Sequence, residues 1–195
     1  PAGHGGPRSA TGVVRRSVWS RAAATTTALA IGTALTVLLL GVVPVPQGRF
    51  VGEIGDGMRR ALGPQRSAWA YRHASLLAAG LVVPGSSDRP VVDGRPLLGI
   101  HDMVNRRTAS GEVLGPDEVV TAHDALRAYT YGSAYASYEE DRKGWIGPGT
   151  LGDFAVLSDD PTAVDPGELA DIDVLATLVG GRVVWDAGLG IGAPA

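Results

Sequence analysis

The chain has 195 residues, 45% apolar and 19% charged, which is long and hydrophobic enough to bury a core and excludes disorder throughout. The absence of cysteine removes a disulfide framework, a thiolate zinc site and a cysteine nucleophile, so any metal would need His or carboxylate ligands. The net charge of −3 hides an asymmetry: no acid precedes Glu53, and the remainder carries 12 basic against 20 acidic residues, which argues against a nucleic-acid-binding surface.

Pro1 to Ala34, rich in Ala, Gly, Thr and Arg, shows no recognisable pattern and is expected to be poorly ordered. Residues 22–47 carry no charge and follow Arg15, Arg16 and Arg21, so 22–43 fits a membrane span, diluted by Thr25, Thr26, Thr27, Thr33 and Thr36. A secretory signal is a second candidate, without a clear cleavage site. The run Val37 to Val45 suits instead a buried β-strand, the favoured reading, and a third option is a stretch that belongs to no natural fold. Periodicity does not separate these readings.

Beyond Gln47 the punctuation predicts alternating helices and strands. Glu53 to Leu62 forms a helix closed by Gly63-Pro64, and Gln65 to Ala79 a second one ended by Gly80. Leu81 to Val83 is a short buried strand that opens into Gly85-Ser86-Ser87-Asp88-Arg89-Pro90. A carboxylate at the carboxyl end of such a strand holds the usual place for catalysis in a (β/α)8 barrel; the plainer reading is a turn Asp that caps the next helix. Pro96 to Thr108 is a helix with Leu98, Ile100, Met103 and Val104 near one face. Thr121 to Ser133 is another, with Thr121 as cap and Asp124 three residues on. Asp153 to Leu157, Val174 to Val179 and Arg182 to Trp185 are short strands, the last two joined by the hairpin signal Gly180-Gly181. Gly188 to Ala195 is a flexible tail.

Other chemistry is weakly represented. Glu139-Glu140-Asp141 and Asp159-Asp160 read as solvated turns rather than cation sites. Neither Ser86 nor Ser87 has a visible base to activate it. Gly144 to Gly149 lacks the helix start of a phosphate loop. His73, His101 and His123 sit in or at helices and are read as packing or surface residues, and His4 lies in the unpatterned start.

Seven motifs in order carry a resemblance: Ser86-Ser87-Asp88 with Pro90, Pro96-Leu97-Leu98-Gly99-Ile100, Gly132-Ser133-Ala134-Tyr135-Ala136, Glu139-Glu140 with Lys143-Gly144, Gly147-Pro148-Gly149, Leu151 to Leu157, and Val179 to Val184. Over roughly Gly41 to Asp186 the chain resembles the carboxyl-terminal portion of the metal-dependent amidohydrolases, in the branch of N-substituted formamide deformylase. The resemblance implies an α/β fold: the last two strand-helix units of a (β/α)8 TIM barrel in residues 41–135, strands of a small β-sandwich in 136–187, a tail in 188–195, and a non-family segment in 1–40. It makes Gly41 to Gln47 the seventh barrel strand and Leu81 to Asp88 the eighth with its loop. Asp88 then sits beside the metal, as ligand and as the general base that takes a proton from metal-bound water and passes it to the leaving nitrogen, with Ser87 and Arg89 lining the substrate pocket. The implied activity is hydrolysis of carbon–nitrogen bonds in amide- or formamide-like small molecules, in the cytoplasm, with a divalent metal, zinc being the expected ion.

The family's earlier ligands, a His-x-His pair and later histidines, have no counterpart here. The chain is therefore expected to be an incomplete enzyme, inactive and metal-free alone. A non-catalytic remnant or membrane-tethered polypeptide is the alternative. Two strands cannot close an eight-stranded barrel, so Leu62, Trp69, Leu76, Leu77, Leu97, Ile100 and Met103 are expected on exposed apolar faces.

Overall fold

Two helices and a turn come first in the computed structural model, which describes residues 43–190. The readings of residues 1–42, and with them most of the candidate span at 22–43, lie outside the described residues. Helix α1 (Phe50–Ser67) runs through a kink at Gly63, whose φ of 73° and ψ of 167° no helix accommodates, followed by Pro64. The stretch from Gln65 to Ala79 is thus not one helix: its first turn belongs to α1, the chain reverses through Ala68–Arg72, and α2 (His73–Ala78) starts afresh. Tyr71 at the reversal adopts a left-handed φ of 51°, and its carbonyl is used twice, by the Arg106 guanidinium at 2.9 Å and the His73 ring at 3.0 Å. Gly80, with φ 79°, closes α2 through its own N–H to Leu77 and that of Leu81 to Leu76, a left-handed helix stop.

Leu81 to Asp88 forms no regular element; Leu81, Val83 and Pro84 are buried, but among the described residues the segment joins no β-ladder, nor does Val43 to Gln47. A strand needs a neighbour to supply its hydrogen bonds, and among the described residues the sheet lies elsewhere.

Helix α3 (Pro96–Asn105) begins with Pro at its first turn, where the missing N–H costs nothing, and ends at Asn105, three residues before the expected Thr108, with Arg106 as its cap. Arg106 has a left-handed φ of 51°. Its buried guanidinium offsets that cost by donating to the carbonyls of Leu114 (2.6 Å), Ala70 (2.7 Å) and Tyr71 (2.9 Å), which ties the end of α3 to the turn before α2.

After a 3-10 turn (Pro116–Glu118), the next helical arm is built in three parts: α4 (Ala122–Arg127), a π-turn (Ala128–Gly132) and α5 (Ser133–Ala136). Thr121 caps it as the sequence implies, its Oγ1 accepting the Asp124 N–H at 3.1 Å and donating to the Asp124 carboxylate at 2.7 Å. Buried Glu118 performs the corresponding service for α2, accepting the Ser75 N–H at 2.9 Å and its hydroxyl.

Ile100 and Met103 are core residues rather than exposed ones, each 1% accessible. They pack with Val120, Ala125, Ala128, Leu169 and Ile172, because a 3-10 segment (Pro166–Asp171) folds back over α3 and is pinned by Asn105 Nδ2 donating to Pro166 at 2.7 Å. Leu62, Leu76, Leu77 and Leu97 are half-buried, and Trp69 is exposed.

The chain ends in an antiparallel sheet ordered β1 (Phe154–Leu157), β2 (Val174–Val179), β3 (Arg182–Asp186). Gly180 and Gly181, with φ of 57° and 76°, make the β2–β3 turn. No helix among the described residues is long and apolar enough to cross a membrane.

Candidate functional site

Asp88 lies at the tip of a loop whose base is held firmly. Gly85 donates its N–H to the Ala128 carbonyl at 2.8 Å, and Ser133 Oγ donates to the Gly85 carbonyl at 3.3 Å. Gly132 allows this approach: a Cβ there would stand 3.0 Å from the Val83 carbonyl and 3.1 Å from Pro84 Cα. The Ala128 carbonyl, which also accepts the Ser133 N–H across the π-turn and the Ser133 hydroxyl at 3.1 Å, is thereby shared between the helical arm and the loop. The motif Gly132-Ser133-Ala134 thus braces the Asp88 loop and brings no reactive group of its own.

At the tip, the Asp88 N–H donates to Ser86 Oγ at 3.3 Å and its carbonyl accepts the Val91 N–H at 2.9 Å. Asp88 has a φ of 57°, a left-handed conformation that Asp tolerates better than most residues, and the next peptide, Arg89–Pro90, is cis. Its side chain is exposed, and among the described residues no hydrogen bond or ion pair engages the carboxylate. Asp88 does not cap α3. Asp93 serves the approach to that helix, accepting the Arg95 N–H at 3.0 Å and its guanidinium at 2.9 Å, and these bonds hold the Asp93 carboxyl below the usual range.

An open concavity of about 870 Å³ lies beside the loop, lined by Glu53, Arg89, Pro90, Val91, Val92, Asp93, Gly94, Arg95 and Pro96. Arg89 is on its wall, while Ser87 and Asp88 are not among its lining residues. Behind it runs a polar chain that sequence reading did not find. Arg49, just before α1, bridges Glu53 and buried Asp102 at 2.5 Å each, and the other Asp102 oxygen takes the His101 ring nitrogen at 3.0 Å. Gly52 leaves room for it, since a Cβ there would stand 2.7 Å from Asp102 Oδ2. His101 therefore sits in the helix after the loop, bonded to its neighbour. His73 is wholly buried, and desolvation pushes its pKa down to about 4.

A metal centre is not assembled here: among the described residues no group of three or more His, Asp or Glu is arranged to hold a metal ion. A lone exposed carboxylate does not fit a divalent cation that needs four to six ligands.

The arrangement, a buried segment opening into a carboxylate-bearing loop, a following helix and a terminal antiparallel sheet, places the chain with hydrolases of known structure. It matches the crystal structure of an uncharacterised metal-dependent hydrolase from Pyrococcus horikoshii OT3 with a TM-score of 0.56 at 29% identity, covering 70% of this chain and 28% of that one. Residues 28–185 match the model of the amidohydrolase family, and the chain belongs to that family. It is 34% identical over 128 residues to the YtcJ protein of Bacillus subtilis (strain 168), covering 64% of this chain and 24% of that protein. It is 40% identical over 112 residues to the N-substituted formamide deformylase of Arthrobacter pascens, covering 57% of this chain and 21% of the deformylase. The matches thus span about a quarter or less of those curated relatives.

Proposed function

We propose that residues 41–187 are the carboxyl-terminal part of an enzyme that hydrolyses carbon–nitrogen bonds in amide- or formamide-like small molecules. Residues 41–135 contribute two strand-helix units to a TIM barrel, and 136–187 contribute strands to a small sandwich. The observation that carries the reading is the free Asp88 carboxylate, held at the tip of a braced loop within a chain of this family. A surface carboxylate with a structural duty would be bonded, as exposed Asp93 is to Arg95; among the described residues the Asp88 carboxylate has no such bond.

Asp88 acts as general base toward the attacking water and returns the proton to the departing nitrogen, which must leave as a neutral amine. Arg89, on the wall of the concavity, and Ser87, beside Asp88, orient the substrate. A divalent metal, zinc by expectation, belongs to the proposal for the whole enzyme, with its other ligands coming from segments outside the described residues. The 195-residue chain by itself is expected to be inactive.

The test is a hybrid in which residues 43–190 replace the matching part of the Arthrobacter pascens deformylase, assayed on an N-substituted formamide. Asp88→Asn should lower kcat by about 100-fold or more, within the usual range for a general acid–base group, while circular dichroism stays the same. Undiminished turnover in the variant would remove Asp88 from the chemistry.

A further inference from the structure

Beside Ala128 and Ser133, Tyr129 also contacts the Asp88 loop. Its ring occupies a slot between Gly85, at the loop base, and Gly99, in α3: a Cβ on either glycine would collide with it. The hydroxyl at the end of that ring donates to the Ser86 carbonyl at 3.3 Å. Ser86 is also the residue whose Oγ accepts the Asp88 N–H at 3.3 Å. One residue back in the helical arm, the Ala128 carbonyl takes the Gly85 N–H at 2.8 Å. Two consecutive loop residues are thus bonded to two consecutive residues of the π-turn, and the second bond lies two positions from the free carboxylate.

We propose that Tyr129 is a positioning residue: through its hydroxyl it fixes the Ser86 peptide and thereby sets the direction in which Asp88 presents its carboxylate. The proposal rests on the reading of Asp88 as the general base. The slot explains why the ring is needed, and the hydroxyl bond explains why a phenol rather than a phenyl occupies it. Burial, together with the negative charge of Asp102, pushes the phenol pKa up to about 12, with Arg49 opposing, so the hydroxyl keeps its proton through the neutral range. A Tyr that merely filled the core would act on the loop and on the rest of the core alike.

Tyr129→Phe separates the two roles because it keeps the ring in its slot. In the 195-residue chain, hydrogen exchange resolved to single amides should show Gly85 and Val91 exchanging at least about fivefold faster in the variant, with the β2–β3 amides unchanged. Unchanged loop exchange, or a uniform rise at every site, would overturn the proposal. In the unaltered chain, a slowly exchanging Tyr129 hydroxyl proton with a nuclear Overhauser contact to Ser86 is expected; its absence would also overturn it, and this measurement does not depend on the variant folding. In the deformylase hybrid, Tyr129→Phe should lower kcat about tenfold and leave KM unchanged, as expected when a catalytic group is displaced but binding is not. A rise in KM alone would place Tyr129 in substrate binding instead and overturn its role. If Asp88→Asn leaves the hybrid active, the general-base reading fails, and the exchange experiment still decides whether Tyr129 holds the loop.

Discussion

His73 shows how one buried side chain makes the stability of the chain depend on pH. Its Nδ1 lies 3.0 Å from the Tyr71 carbonyl, so Nδ1 carries the proton, and Nε2 is buried with no hydrogen bond of ordinary length among the described residues. A second proton would place a positive charge inside the core: desolvation, with the cationic Arg106 beside it, outweighs the Tyr71 and Pro46 carbonyls and the Glu118 carboxylate and lowers the pKa from 6.5 to about 4. The unfolded chain therefore binds that proton first as the pH falls. The stabilisation is complete above pH 6.5 and is lost between 6.5 and about 4, on the order of 3 kcal/mol in all. Urea unfolding at pH 7.5, 5.5 and 4.5 should show this loss in the wild type. His73→Gln should be less stable at pH 7.5, yet its stability should change less over the same interval. Equal slopes in the two proteins would mean that His73 titrates normally when folded.

At the scale of elements, the terminal hairpin shows which local signals survive folding. Gly180-Gly181 makes the turn as the sequence implies, and the motif residue Asp153 closes it: its carboxylate accepts the Gly180 N–H at 2.8 Å, while Gly181 donates to the Gly152 carbonyl at 2.8 Å. Gly180→Asn should therefore fold within about 0.5 kcal/mol of the wild type, since Asn accepts the left-handed turn, whereas Asp153→Ala should cost about 1 kcal/mol by leaving that N–H without its acceptor. Thermal melts of both variants check this, and a costless Asp153→Ala would show that the turn stands unaided. The Thr121 cap and the three strands were legible for the same reason, because each depends on residues a few positions apart. Other features leave no local trace. Arg49 meets Asp102 across 53 positions, and Arg106 ends α3 early by reaching carbonyls more than 30 positions back. Leu81 to Val83 has the residues of a strand, but among the described residues it has no neighbour to pair with. The loop bearing Asp88 was legible through family motifs, whereas its bracing by Tyr129 and Ser133 was not. Its sequence trace is the glycines Gly85, Gly99 and Gly132, and glycine has too many uses to be read alone.

For the molecule as a whole, the sheet sets the terms on which the chain meets its surroundings. Among the described residues β2 has strands on both sides, while β1 and β3 each have an open edge. A sheet is stable when at least one face is covered by another layer. Ala176 is fully buried, but Phe154, Val179, Val184 and Trp185 are 36%, 54%, 60% and 48% exposed. Single exposed apolar residues are ordinary; here they stand on both faces of one small sheet, Val179 and Trp185 on one and Phe154 on the other, so among the described residues neither face is fully covered. The open edges add unpaired backbone groups that another strand can satisfy. The purified chain should therefore associate as its concentration rises, through this sheet rather than through α3, whose Ile100 and Met103 are already covered. Sedimentation velocity from micromolar concentrations upward should show a growing average mass, and the double change Val184→Lys with Trp185→Lys should reduce it without shifting the melting temperature by more than a few degrees. A wild-type chain that stays monomeric throughout would mean that the exposed strands are stable in water as they stand, and that no second layer is needed to complete them.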